Sequence, residues 1–545
     1  MENAVSSILR AYQRQTREYY WNNVAFILTL SASPARSHCK EPYRDRRQPL
    51  VKHGVFFLSP SFLCSFLLLC RFLLLLFISC FSPWRGNPIF NCTIMSVDPV
   101  TPAEYPPWHD QDEEKDLKEH FDPTAQDAFG NEEEAEVKYK VLSWWQCGLL
   151  MVAETISLGV LSLPAAVATL GLVPALIILV GIGVIATYTG YLMGQFKLRY
   201  PFVTSMADAG EVLMGRFGRE FLGIAQLLFI IFFMASHLVT FSVAFNVLTD
   251  HGTCTIVFGV VGLIISLICS LPRTLNNVSW LSMASFTSIT AAVIICMVSL
   301  GVQHPGGMPI KAVVQSDLVT AFSAVTNIIF AYIGHVAYFG IMAELKDPRD
   351  FTKALSLLQV LDIIIYIIVA AVTYNYAGDG VSSPALGSTS PIMQKVAYGI
   401  ALPTIIIAGV VFCHVGCKYI YLRIFAGSDR MHKRDFVATG SWVAINLIMW
   451  VIAWIIAEAV PVFDSLLSLI SSIFGSWFSF GLPAFFWLYM NRGEYTASWK
   501  KMILTVLNLG CVGIAGLICG LGLYTSGKSI HDNPSSDSFS CKNNS

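Results

Sequence analysis

Charge is scarce in this sequence. Only 13% of its 545 residues are Asp, Glu, Lys or Arg, against 54% hydrophobic, and the mean hydropathy is +0.60. A soluble chain carries about a quarter charged residues, so that class is excluded and a polytopic membrane protein is implied. Lys and Arg number 35 and Asp and Glu 36. With no basic stripe and no phosphate-cradling glycine loop, no nucleic-acid partner is expected. Paired aspartates or histidines at helical spacing are also missing from the apolar segments. An intramembrane enzyme would need such a constellation, so the chain does not read as an enzyme. His414, flanked by Cys413 and Cys417, puts three ligand types on one helix with no fourth, and no metal is expected there. Of the 14 cysteines, those after Cys92, such as Cys269, Cys296 and Cys519, mostly fall in apolar runs rather than in a spaced framework.

Long apolar runs are what the sequence has in abundance. A span needs about 20 mostly apolar residues to cross a hydrocarbon core of about 30 Å. Approximate spans fall at 144–169, 172–196, 220–248, 254–272, 277–301, 318–344, 353–377, 392–417, 436–460, 462–490 and 500–524, which makes eleven. Alternate loops differ sharply in basic residues. One set holds Lys197, Arg199, Arg273, Lys346, Arg423 and Arg434 among others, and the second only Lys311, Lys395, Lys528 and Lys542. Positive-inside reasoning places the first set in the cytoplasm. The segment before Trp144 is then cytoplasmic and the tail 525–545 external. Cys254 and Cys541 both fall outside on this topology, and the sequence alone does not settle whether they are bridged.

The amino-terminal region has two unlike parts. Residues 95–140 are acidic and proline-bearing, with "DQDEEKD" and "NEEEAE" and few large apolar groups, and read as a disordered cytoplasmic tail. Regulatory or ubiquitin machinery is a candidate partner there, with Lys115 and Lys118 as modification sites. Residues 1–94 include "FLCSFLLLCRFLLLLFISCF", which is long enough to span but begins too far from Met1 for an ordinary secretory signal. Its Phe, Leu, Ser and Cys bias matches translation of a pyrimidine-rich non-coding stretch, and Met95 offers a start. Residues 1–94 are therefore expected to be a gene-model extension, a twelfth span being the alternative. Asn91 would face the cytoplasm and stay unglycosylated.

Two spans contain residues that a bilayer interior penalises. In the first, "ETISLGVLSLPAAVATLG" runs from Glu154 to Gly171, and an unpaired carboxylate near a helix centre costs roughly 2.5–3.5 kcal/mol even on the lenient insertion scale. Glu154 lies about 15 Å along the helix from Trp144, near the midplane. Thr155, Ser157 and Gly159 weaken the helix and Pro164 cannot donate to the carbonyl of residue 160. A break restarting near Val160 would aim free amides at an anion, whereas a single break also fits a packed proline kink. In the sixth span, Tyr332, Gly334 and His335 interrupt an apolar run about 16 Å from Lys346. Two discontinuous helices at corresponding positions of two five-span halves point to an inverted-repeat transporter with its substrate at the midplane.

"GVLSLPAAVATLG" and "FAYIGHVAYFGIMAELKDP" resemble the first- and sixth-span signatures of the amino acid/auxin permease family. The resemblance covers about 140–524 and is most similar to fungal neutral amino-acid permeases of the methyltryptophan-resistance type. One position departs from it: Ser157 stands where the family's first glycine of Gly-x-Gly falls. The resemblance implies an all-α LeuT-like fold of eleven transmembrane helices: a 5+5 inverted repeat with discontinuous first and sixth helices, plus one extra helix. It implies import of neutral aliphatic and aromatic amino acids across the plasma membrane. Ser157, Gly159, Val160 and Ser162 would hold the substrate carboxylate, and carbonyls near Ala331, Tyr332 and Gly334 its ammonium. Phe232, Phe233, Phe330 and Tyr338 are candidate walls for the side chain.

Coupling requires an ion. A sodium site between the first and eighth spans wants hydroxyls on the eighth, where only Thr404 is available. Glu154 and His335 are titratable groups beside the two breaks, and Asp362 is a third in the seventh span. A buried titratable group of this kind is a functional candidate, so proton symport is expected, with the proton gradient in place of any cofactor. Glu458 and Asp464 are placed at the external interface. Sodium coupling and a non-transporting amino-acid sensor on the same fold are the alternatives.

Overall fold

A computed structural model describes residues 140–273, 275–425, 435–532 and 538–544. The expectations for residues 1–94, for the acidic tail up to residue 139 with Lys115 and Lys118, and for Asn91 lie outside the described residues.

The described chain is helical apart from its loops. In order, α1 is Trp144–Leu170, α2 Leu172–Arg199, α3 Met206–Thr249, α4 Thr255–Cys269 and α5 Leu275–Gln303. The sixth span comprises α6, Leu318–Phe330, and α7, His335–Ala343. Then come α8 Phe351–Ala377, α9 Pro391–Phe425 and α10 Phe436–Ala459. The tenth span is α11 Phe463–Ile470, a π-helical stretch Ser471–Gly481 and α12 Leu482–Met490; α13 is Trp499–Asp532. Ten of these spans are long and apolar enough to cross a membrane, and α4 is a shorter apolar helix. Its 15 residues give about 22 Å of helix. The spans expected from the apolar runs are all present, with α9 and α13 each extending about two turns further than their apolar runs suggest.

Packing sorts these helices into centre and periphery. The apolar windows of α1 and of the sixth span are both 89% buried, whereas that of α13 is 22% buried. Accordingly α1 packs on α8, α5 and α6, α9 packs on α5 and α3, and α13 lies against the π-helical stretch. α3 begins with a short arm that turns at Gly215 (φ 64°, ψ −152°), a conformation that glycine adopts without strain. Across this turn Gly210 and Gly218 pack backbone to backbone.

Arg199, Arg273, Lys346, Arg423 and Arg492 lie at one end of the helices, called here the basic end. There the chain before α1 meets the chain after α7: the Leu142 amide donates to the Glu344 carbonyl (3.0 Å) and the Lys346 amide to that of Leu142 (2.9 Å). The Lys418 ammonium of α9 pairs with the Glu344 carboxylate, both nearly or fully buried. At the opposite end, Cys254 and Cys541 are disulfide-bonded. The segment around Cys541 is further tied down by Asn246 to Asn544 (2.8 Å) and by Thr255 to the Lys542 carbonyl (2.7 Å).

One particular of the expected architecture is corrected. The sixth span is discontinuous, but the first is not: α1 runs unbroken from Trp144 to Leu170 with Pro164 inside it. A proline removes one backbone hydrogen bond, and the flanking hydroxyls hold the neighbouring turns. Thr155 donates to the Met151 carbonyl (2.9 Å), Ser157 to that of Glu154 (3.1 Å) and Ser162 to that of Gly159 (2.9 Å).

Candidate functional site at the opening of the sixth span

α6 stops at Phe330 and α7 begins at His335. Between them the turns tighten, with the Tyr332 amide donating to the Ile329 carbonyl (2.9 Å) and that of Ile333 to Phe330 (3.3 Å). Backbone that leaves a helix inside a membrane must find partners in protein, water or ligand. The Ala331 carbonyl finds one in the Tyr366 hydroxyl of α8 (2.8 Å).

α1 closes one side of this opening. A Cβ on Gly159 would lie 2.7 Å from the Ala331 Cα, and one on Gly334 would lie 2.9 Å from the Thr155 Cγ2. Both glycines are therefore required for close approach of the two spans. Thr155 Oγ1 also lies within hydrogen-bond distance of Asp362 Oδ2 of α8 (2.9 Å). On the α2 side, His335 Nε2 lies 3.1 Å from Thr189 Oγ1 and 3.0 Å from the Ala186 carbonyl, an arrangement in which Nε2 donates to the carbonyl.

Glu154, His335 and Asp362 are all buried, and each keeps polar atoms without a hydrogen-bond partner. These are both Glu154 oxygens, His335 Nδ1 and Asp362 Oδ1, and the Tyr332 hydroxyl is a fourth such group. A buried polar atom left unpaired costs about 1–3 kcal/mol, more if charged.

Every residue expected at the site can now be placed. Ala331, Tyr332 and Gly334 form the opening. Gly159 abuts it, whereas Ser157 and Ser162 spend their hydroxyls inside α1, and Val160 is buried in that helix. Phe233 and Phe330 stack at 5.4 Å, and Phe412 of α9 joins them at 3.8 Å from Phe233. Phe232 turns elsewhere, against Phe474, and Tyr338 sits beside His335 at 4.7 Å, beyond the opening. Thr404 donates to the Ser285 carbonyl of α5 (2.5 Å). Asp464 accepts from Ser383 (2.6 Å) and Asn327 (3.1 Å), while Glu458 is buried. His414 contacts the Pro272 carbonyl (2.9 Å) and Cys413 donates to Asn446 Oδ1 (3.3 Å). Gly190 and Gly194 pack against Leu355 and Phe351, and Gly513, Gly516 and Gly520 face open space.

Sequence reasoning overlooked Thr189, Tyr366 and Phe412, and read Thr155 only as a residue that weakens the first span. One signal was available: Asp362 and Tyr366 are four apart, which puts both on one face of a helix.

Residues 140–526 match a protein family described as "Transmembrane amino acid transporter protein". The chain belongs to that family. Among curated relatives it is 37% identical over 410 residues to an N amino acid transport system protein of Neurospora crassa, covering 73% of this chain and 87% of that one. It is 29% identical to a transmembrane transporter of Gibberella moniliformis, covering 79% and 92%. Amino acid transporter AVT1H of Arabidopsis thaliana is 26% identical over 67% of this chain and 86% of its own length. Among solved structures, MhsT in complex with L-phenylalanine matches with a TM-score of 0.51 at 12% identity, covering 72% of this chain and all of that one. The fold is thus the LeuT-like arrangement of two five-span halves, here with α13 added. The protein is a multi-pass amino acid transporter rather than an enzyme.

Proposed function

We propose that this transporter imports neutral amino acids across the plasma membrane by proton symport, with the substrate held at the opening of the sixth span. The observation that carries the reading is the set of buried polar residues at the sixth-span break: Tyr332 and His335 lie in it, Asp362 is bonded to Thr155, Thr155 abuts Gly334, and Glu154 is the next residue along α1. An ammonium would find the carbonyls of Ala331, Tyr332 and Gly334. A carboxylate would face the Gly159 side of α1, with Ser157, Val160 and Ser162 available once that helix loosens at Pro164. Glu154 and Asp362 are assigned to coupling, which favours an uncharged side chain against Phe233, Phe330 and Phe412.

Glu154 is the proposed proton carrier. Its two buried carboxyl oxygens have no hydrogen-bond partner among the described residues, so gain or loss of a proton changes its local energy more than at a paired group. Asp362 and His335, each partly engaged, are placed as supporting relays. Thr404 spends its hydroxyl on α5, which counts against sodium coupling. The bias of basic residues supports a cytoplasmic basic end and an external carboxyl terminus. Regulatory or ubiquitin machinery would then meet the amino-terminal tail inside the cell.

Proteoliposome uptake with an imposed pH gradient tests this. Accumulation of a neutral amino acid should collapse on adding a protonophore, and Glu154→Gln should abolish accumulation while sparing exchange. Accumulation that ignores the protonophore but follows a sodium gradient would overturn the coupling. Full accumulation by the Gln variant would remove Glu154 from it.

A further inference from the structure

A groove of about 530 Å³ opens between α3 and α9 near the basic end, lined by Gly223, Ile224, Leu227, Tyr419, Ile420, Arg423 and Ile424. Its volume falls within the range of roughly 300–1,000 Å³ usual for small-molecule sites. The groove exists because Gly223 has no side chain. A Cβ there would lie 2.3 Å from the Tyr419 hydroxyl, so that ring lies on the backbone of α3 and leaves the space alongside it unfilled. Ile224 and Ile424 are each 60% exposed, which fits walls that meet hydrocarbon.

The mouth of the groove is polar and electrically balanced. The Arg423 guanidinium donates to the Tyr419 hydroxyl (3.0 Å) and pairs with the Glu220 carboxylate. Both charged side chains stay substantially exposed, at 39% and 55%. Of the neighbouring charges, Arg219 pairs with Glu211 (3.3 Å) and also acts on Glu220 through space, and Arg216 has its own interactions. One cation and one anion therefore stand side by side above an apolar slot.

We propose that this groove binds a single aminophospholipid of the phosphatidylethanolamine class, with an acyl chain along Leu227, Ile420 and Ile424 and its headgroup across Arg423 and Glu220. The phosphate accepts hydrogen bonds from the guanidinium and the Tyr419 hydroxyl, and the primary ammonium donates to the Glu220 carboxylate. A quaternary ammonium has no N–H to donate, so phosphatidylcholine lacks the second contact. A purely anionic headgroup meets Glu220 as a like charge. The headgroup chemistry stands apart from the transport reading, and only the assignment to the cytoplasmic leaflet rests on the orientation proposed above.

The test uses the full chain, delipidated in detergent and titrated with phosphatidylethanolamine, phosphatidylcholine or phosphatidylglycerol of identical acyl chains, with bound lipid read by native mass spectrometry. Phosphatidylethanolamine should bind about tenfold more tightly than either competitor, the effect of one charge-assisted hydrogen bond. Glu220→Gln should transfer the preference to phosphatidylglycerol, and Arg423→Gln should abolish it. Leu227→Trp, which fills the slot and leaves the mouth intact, should weaken all three lipids alike; gel filtration and helicity confirm that each variant is folded. Equal binding of the three lipids by the native chain, or a phosphatidylethanolamine preference that survives both charge variants, would overturn the proposal.

Discussion

The first and sixth spans carry similar helix-weakening residues at similar depth and occupy equivalent central places, yet only the sixth opens. In α1 the hydroxyls of Thr155, Ser157 and Ser162 bond to carbonyls of the same helix, and the helix runs unbroken past Pro164. In the sixth span the repair comes from outside. Tyr366 takes the Ala331 carbonyl, and Thr189 and the Ala186 carbonyl take His335. The difference teaches that proline and glycine content sets where a helix can part, while the neighbours decide whether it does.

The comparison can be broken in several ways. The largest expected effect is at the base of the sixth span, where Lys418→Met removes the ammonium that pairs with the buried Glu344 carboxylate. A loss of about 3–5 kcal/mol is expected, read as a fall in the thermal midpoint of the detergent-solubilised protein and relieved by adding Glu344→Gln. Next is the contact between the two spans. Gly159→Leu drives a side chain into the Ala331 backbone and should cost about 1–3 kcal/mol by overpacking. Uptake should fall much further than the amount of folded protein does.

A third test contrasts external with internal repair. Tyr366→Phe leaves the Ala331 carbonyl unpaired and should cost about 1–2 kcal/mol, with slower uptake. Ser162→Ala removes only a back-bond within α1 and should stay within about 0.5 kcal/mol. Equal effects in uptake and melting would erase the distinction between the spans. The smallest effect is expected at the start of α6, where the Asp317 carboxylate accepts from the Val319 and Thr320 amides. Its bonding to Thr320 holds this carboxyl below the usual range. Its stabilisation is therefore complete above the unfolded carboxylate's pKa and fades as pH falls through the lower folded value. Asp317→Ala should cost about 1 kcal/mol near neutrality, and the gap in melting temperature should close in acid.

Much of the architecture was legible in the residues. Apolar length marked all the spans, and Tyr332, Gly334 and His335 marked the opening, because no repairing side chain lies nearby in sequence. The continuity of α1 was not legible, since a hydroxyl that weakens a helix and one that mends it are the same residue. Thr155 and Asp362 are 207 positions apart, and nothing local joins them. The Cys254–Cys541 bridge was one of the pairings the topology allowed, and only the fold of the end opposite the basic one selected it.

A cryo-EM map of the full chain in lipid nanodiscs with a neutral amino acid bound bears most directly on the central claim. Density for the substrate is expected between Gly159 and the Ala331–Gly334 opening, its ammonium within hydrogen-bond distance of those carbonyls, with α1 drawn away from Ala331. A sixth span wound continuously through the membrane, or a substrate lodged away from that opening, would contradict the account.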